Sequence, residues 1–309
     1  MKYRFIYIVA LALTCLSASA QRSREEYKSR YNLLTERLGA TGVGIETLLS
    51  SWERDYPDDV DMLCGKFSYY FSKSQSVEVV RKDQSTFLGA KPVLSLKDST
   101  GAPVNYFQET MYDDSLFAMS SSAIEKAIRL QPAEIDLRFN RITALIAYEK
   151  ESPDMAVAAL RSIIDYYYTS DQKWTFRSES VDNEFFKAAV QEYCYSFFRT
   201  QSPVSMEAFQ SLSLKMLDYN PSDPVFMNNV GSYWFVWKQD DRTAAKYYTR
   251  VLKKHPDDYT ASKNLVLMYR RERNVSKEKK YLAILAKNSP DEAERAAAEA
   301  RLGALSKKK

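Results

Sequence analysis

The chain has 309 residues, and its 44 Lys and Arg against 40 Asp and Glu give a formal charge of +4. A balance this close to neutral gives no global reason to bind nucleic acid, and the single histidine, His255, cannot by itself form a catalytic triad or a multi-histidine metal site. Eight glycines in the whole chain disfavour a loop-rich or all-β fold, while a 45% hydrophobic content is enough to bury a large core.

Residues 1–20 read MKYRFIYIVALALTCLSASA. Lys2 and Arg4 make a basic start, residues 5–16 are mostly apolar, and Ala18-Ser19-Ala20 is a small-x-small cleavage site. This pattern predicts a secretory signal peptide cleaved after Ala20, with the product periplasmic or extracellular. Cys15 raises lipidation as an alternative, but Leu13-Thr14 before it lacks the usual small residue. Removing Lys2 and Arg4 lowers the formal charge of the mature chain from +4 to +2. No later segment has the roughly 18 uncharged apolar residues of a membrane span, so no transmembrane anchor is expected after cleavage.

Helical spacing of apolar residues, broken by proline and capping residues, predicts a series of helices. The expected spans are 24–38 and 45–56; 59–73 and 114–131; 133–149 and 153–168; 180–200 and 204–219; 223–238 and 242–254; and 258–272 and 276–288. Gly39 reads as a helix C-cap. The stretch Gly39-Ala-Thr-Gly42-Val-Gly44 follows a helix and has no Lys-Ser/Thr, so it is not a phosphate loop. The region 77–112 interrupts the rhythm. Val93, Ser95 and Lys97 alternate with Leu94 and Leu96, and the turn residues Asp98-Ser-Thr-Gly-Ala-Pro103 precede Val104-Asn-Tyr-Phe107. That is a β-hairpin inserted between the two helices of one repeat. Residues 291–305, polar on one face and alanine-rich on the other, suit a capping helix.

The most informative signal is a period. Pro221, Pro256 and Pro290 lie 35 and 34 residues apart, each just past an amphipathic run. Proline followed eight residues later by asparagine occurs at Pro132/Asn140, Pro221/Asn229 and Pro256/Asn264. Proline ends the second helix of a unit, and Asp258 caps the helix that follows. A repeat near 34 residues marks stacked helix-turn-helix units, each hiding its neighbour's apolar face.

Asn229, Val230 and Gly231, then Ala244, Tyr248 and Pro256, then Asn264, Leu265, Tyr269 and Pro290, resemble the tetratricopeptide-repeat (TPR) family over residues 221–290; residues 24–219 resemble it loosely. Two departures stand out. One extra residue lies between Gly231 and Ala244, and Glu278 sits where a small residue is expected. The resemblance implies an all-α solenoid of helix pairs, a single domain over 21–309 carrying the hairpin insertion. It also implies a concave groove lined by Asn228, Ser232 and Phe235 in one unit and by Lys263, Leu267, Arg270 and Arg271 in the next. Such a groove is polar and basic, suited to an acidic or C-terminal peptide segment of another protein.

Reaction chemistry is not legible. Cys64 and Cys194 have no Cys or His close by in sequence, and His255 reads as a helix-terminal residue near the last carbonyls. No catalytic residue, cofactor or metal is expected. The clusters Asp165–Phe176, Glu192–Phe198 and Ser232–Lys238 concentrate the aromatics, whose main use is helix packing. The function expected is a non-catalytic exported scaffold that binds a protein or peptide. The alternative is glycan binding in polysaccharide uptake, because an outer-membrane glycan-binding family also carries TPR-like helices. In this chain only 77–112 is available for that role.

Overall fold

The computed structural model describes residues 22–307. The signal segment, its cleavage point and Cys15 lie outside the described residues. The fold is mostly helical with a small antiparallel sheet, and thirteen α-helices occur among the described residues. In chain order these begin with α1 (Arg24–Leu38), α2 (Ile45–Asp55) and α3 (Val60–Lys73), followed by strands β1 (Gln75–Lys82), β2 (Leu94–Lys97) and β3 (Pro103–Tyr112). Next come α4 (Asp114–Leu130), α5 (Ile135–Glu149) and α6 (Asp154–Thr169), with short strands β4 (Thr175–Phe176) and β5 (Glu179–Ser180). The remainder is α7 (Asn183–Thr200), α8 (Pro203–Tyr219), α9 (Pro224–Ser232), α10 (Asp241–Lys254), α11 (Tyr259–Arg271), α12 (Val275–Asn288) and α13 (Glu292–Lys307).

Two compact units divide the chain. Of the described residues, one holds 22–80 with 108–144 and 175–178; the other holds 81–107, 145–174 and 179–307. In the first, α1 packs on α2, α2 on α3 and α3 on α4. Its core is Tyr27, Ile45, Leu49, Trp52, Met62 and Leu63, joined by Ile124 and Ala127 of α4. In the second, every helix from α7 to α13 packs on the next in sequence. The core of its C-terminal half centres on Met227, Tyr248, Leu265, Met268, Tyr281 and Leu285.

Local chemistry accounts for the helix ends. Aspartates at Asp59, Asp113, Asp182, Asp223, Asp240 and Asp258 each accept a first-turn backbone N–H, satisfying donors that the helix itself leaves open. Gly39 caps α1, its N–H donating to the Thr35 carbonyl at 3.0 Å. His255 is the C-cap of α10, its N–H donating to the Val251 carbonyl at 2.8 Å.

The structure corrects three spans. Helix α7 begins at Asn183, not 180, because Glu179–Ser180 is extended and Asp182 supplies the cap. The expected hairpin exists, with Leu94 opposite Tyr106 and Leu96 opposite Val104, but β1 adds a third strand in the order β1-β3-β2. The helix expected over 223–238 ends at Ser232 and continues as a π turn, Tyr233–Trp237. The Lys238 N–H donates to the Tyr233 carbonyl five residues back at 3.1 Å. A π turn carries one residue more than α-helical geometry requires, so it absorbs the extra residue between Gly231 and Ala244.

Gly231 marks the tightest contact in this region. A Cβ on it would lie 2.7 Å from Cε1 of the fully buried Tyr248 ring. Gly231→Ala is therefore expected to destabilise by about 1–3 kcal/mol through overpacking, even though alanine favours a helix by up to about 1 kcal/mol. Urea unfolding checks this, and an unchanged midpoint contradicts it. Adding Tyr248→Leu to the same chain should cost less than the sum of the two single changes.

Candidate functional site

Helices α11, α12 and α13 enclose an open cleft of about 370 Å³. Asp258 starts α11 by accepting from the Ala261 N–H at 2.7 Å. Asn274 starts α12 by accepting from Lys277 at 3.2 Å, and Asp291 starts α13 by accepting from Glu294 at 3.1 Å. Lys263, Leu267 and Arg270 recur at helical spacing on α11 and share one face. The floor is apolar: Val266, Leu282, Leu285 and Ala298. Leu267 is 44% exposed at the rim, an apolar side chain left open to solvent.

Glu278 organises the charge beside this cleft. It is 2% exposed, and both its oxygens are occupied. Arg270 Nε donates to Oε1 at 2.9 Å, while Arg301 donates from Nε to Oε1 at 3.0 Å and from Nη2 to Oε2 at 3.2 Å. Burial alone raises a carboxyl, but the hydrogen bonds from Arg301 and Arg270 outweigh it and hold Glu278 below the ordinary glutamate range. Two turns earlier on the same face of α11, Lys263 Nζ pairs with Glu294 at 2.9 Å. Burial likewise raises Glu294, and bonds from Ser289 and Lys263 bring it down. Three cations therefore face two carboxylates around an apolar floor. The surplus is one positive charge, suited to a single carboxylate attached to an apolar group.

The other expected groove residues lie outside this cleft. Asn228 is 6% exposed and donates through Nδ2 to Asp258 at 3.0 Å. Ser232 shares a 3.0 Å hydroxyl contact with Tyr248. Arg271 binds Asp241 and lies over the Phe235 ring, 5.1 Å from its centroid.

A repeated device explains Asn228 and part of Lys263. Lys187 on α7 pairs with the cap Asp223 at 2.8 Å, Asn228 on α9 donates to the cap Asp258, and Lys263 on α11 pairs with Glu294 in the first turn of α13. Each ties one helix to an acidic residue at the start of the helix two places on. Sequence reasoning missed Arg301 and Glu294 as cleft residues, and Glu278 as the buried carboxylate beside them. The signal for them was Glu278 itself: a carboxylate in a slot that packs small residues must be buried, and a buried charge needs a partner.

No family model matches the chain, and no curated protein matches it. The site has to be read from its own chemistry. Among the described residues no helix is long and apolar enough to cross a membrane.

A second concavity, about 750 Å³, lies where the loop 84–89 meets the α7–α8 junction. Gly89, at φ +77°, sits so close that a Cβ would be 2.5 Å from the Arg199 carbonyl oxygen. Phe87 is engaged by Lys82 Nζ, 3.8 Å from the ring centroid, and by Phe107 at 5.9 Å.

The two cysteines among the described residues, half-buried Cys64 and buried Cys194, are free thiols. Burial pushes each up to about 12, so the reactive thiolate is scarce at neutral pH. In the native chain Cys64 and Cys194 are expected to resist a disulfide-exchange reagent at pH 8, and both should react within minutes in urea. Rapid native labelling of either, read by mass, contradicts the buried-thiol description.

Proposed function

We propose that the chain is an exported, non-catalytic TPR-like α-solenoid that binds an acidic or C-terminal segment of another protein in the α11–α13 cleft. The observation that carries this is the cleft itself: an apolar floor, an exposed Leu267 and a one-charge cationic surplus from Lys263, Arg270 and Arg301. The repeat part of the reading is supported by the 35- and 34-residue proline spacing and by sequence neighbours packing as spatial neighbours from α7 to α13. The glycan alternative has less behind it. The insert's cavity offers Phe87 as its aromatic, and that ring is already covered by Lys82.

Titrating the mature chain with short peptides that end in an apolar residue, free or amidated at the C-terminus, tests this reading. The free-carboxylate or acidic peptides should bind, and Leu267→Glu should weaken them at least about tenfold. Lys263→Glu combined with Arg270→Glu should abolish binding. Equal affinity for neutral, amidated peptides would sink the proposal. Export is checked separately by N-terminal sequencing of the processed chain, which should begin at Gln21.

A further inference from the structure

Several cations of the C-terminal half form ion pairs. Lys187 meets Asp223, Lys238 meets Glu207, Arg271 meets Asp241, and Arg270 and Arg301 meet Glu278. The cations of one groove form none among the described residues. Arg242, Lys246, Arg250 and Lys253 follow one another along α10 at steps of four, four and three residues. All are exposed, and together with Lys280 of α12 they line a groove of about 700 Å³. No carboxylate lines this groove, and none of these five cations forms an ion pair among the described residues. Arg250 donates to the Pro221 carbonyl, and Lys280 lies 5.2 Å from the centroid of the Tyr281 ring. The floor between the cations is apolar, made by Leu252, Pro256, Tyr281 and Ile284.

We infer that this groove docks an acidic amphipathic helix of a partner protein. The charge is complementary to one kind of ligand, and the spacing narrows it further. Four cations over twelve residues of α10 span about 16 Å, at intervals of about 6, 6 and 4.5 Å. Glutamates placed every four residues on a facing helix match the first two of these intervals. The apolar floor takes that helix's hydrophobic stripe, as helix-in-groove recognition requires. A purely ionic polymer leaves the floor uncovered, and a flat bilayer does not reach a recessed one. The α10–α12 groove and the α11–α13 cleft use different residues, so the two proposals fail independently.

The test uses the full mature chain and a fluorescent synthetic helix of about 16 residues, with Glu every four positions and Leu on one stripe. A scrambled peptide of identical composition, inorganic polyphosphate and phosphatidylglycerol vesicles are run beside it. Anisotropy should show saturable binding of the amphipathic helix, at least about tenfold tighter than the scrambled peptide. Lys246→Glu with Lys253→Glu should weaken it by at least about tenfold while far-UV circular dichroism stays unchanged. Ile284→Ala should weaken the amphipathic helix several-fold and leave the scrambled peptide alone. Lys263→Glu, in the other cleft, should leave the preference for the amphipathic helix over the scrambled peptide unchanged. Equal binding of the scrambled peptide or polyphosphate overturns the inference in favour of a plain polyanion site. Preferential vesicle binding overturns it in favour of a membrane surface. Absence of saturable peptide binding below about 1 mM also overturns it.

Discussion

Trp52→Ala is expected to cost the N-terminal unit about 3–5 kcal/mol, the range for deleting a large buried aromatic. Trp52 is 1% exposed and lies parallel to Tyr27, with ring centroids 5.7 Å apart and planes within 9°. Its Nε1–H donates to Asp59 Oδ2 at 3.3 Å, and the other oxygen of Asp59 accepts from the Met62 N–H at the start of α3. The substitution therefore opens a cavity and also removes one of the groups that hold a helix cap in place, the other being Arg24 Nε at 3.6 Å from the same Oδ2. Trp52→Phe keeps most of the volume and should cost less, mainly the hydrogen bond at about 1 kcal/mol and some packing. Urea unfolding followed by circular dichroism measures both. A loss below about 1 kcal/mol for the alanine chain would show that this cluster is not the core of its unit.

The second large effect concerns the two arginines on Glu278. Either one alone leaves the carboxylate paired, so Arg270→Met and Arg301→Met should each be mild; both side chains are nearly half exposed. Together they strand a charge that is 2% exposed. The double variant is expected to lose about 3–5 kcal/mol, well beyond the sum of the singles. Glu278→Leu in the double-variant background should recover much of it, because the buried charge is then gone. A double variant that is merely additive would rule out the shared-partner description.

The same triad sets a pH dependence. Glu278 sits below its ordinary value in the folded chain, so its contribution to stability is fully present above the unfolded glutamate value of about 4.3. It is lost as pH falls from there through the lower folded value. The slope of stability against pH in that acidic window should be shallower in a Glu278→Gln chain than in the parent.

How much of this was legible beforehand differs by element. The bounds of α1 match the expected span, and those of α2, α3, α4 and α12 fall within a residue or so of it. Capping aspartates, prolines and apolar spacing act over one or two turns and are written next to the residues they govern. The expected run Lys263, Leu267, Arg270 does share one cleft, because spacing on a single helix fixes which side chains are neighbours. The placement of Asn228 and Ser232 was not legible. Both are polar and on an inner-helix pattern, yet their partners are Asp258, thirty residues away, and Tyr248, sixteen away.

By itself, then, the sequence determined what short-range physics controls: a mostly helical chain, its turns, its caps and its punctuation near every 34 residues. Tertiary structure decided what depends on who lies opposite whom. It brought Arg301 to Glu278 across 23 residues, turned an extra residue into a π turn, and lined the α10–α12 groove with cations and no carboxylate. The reason is the range of the interactions. Hydrogen bonds along one helix are set by residues three or four positions apart, whereas the pairing of a buried charge is set only when separate helices pack.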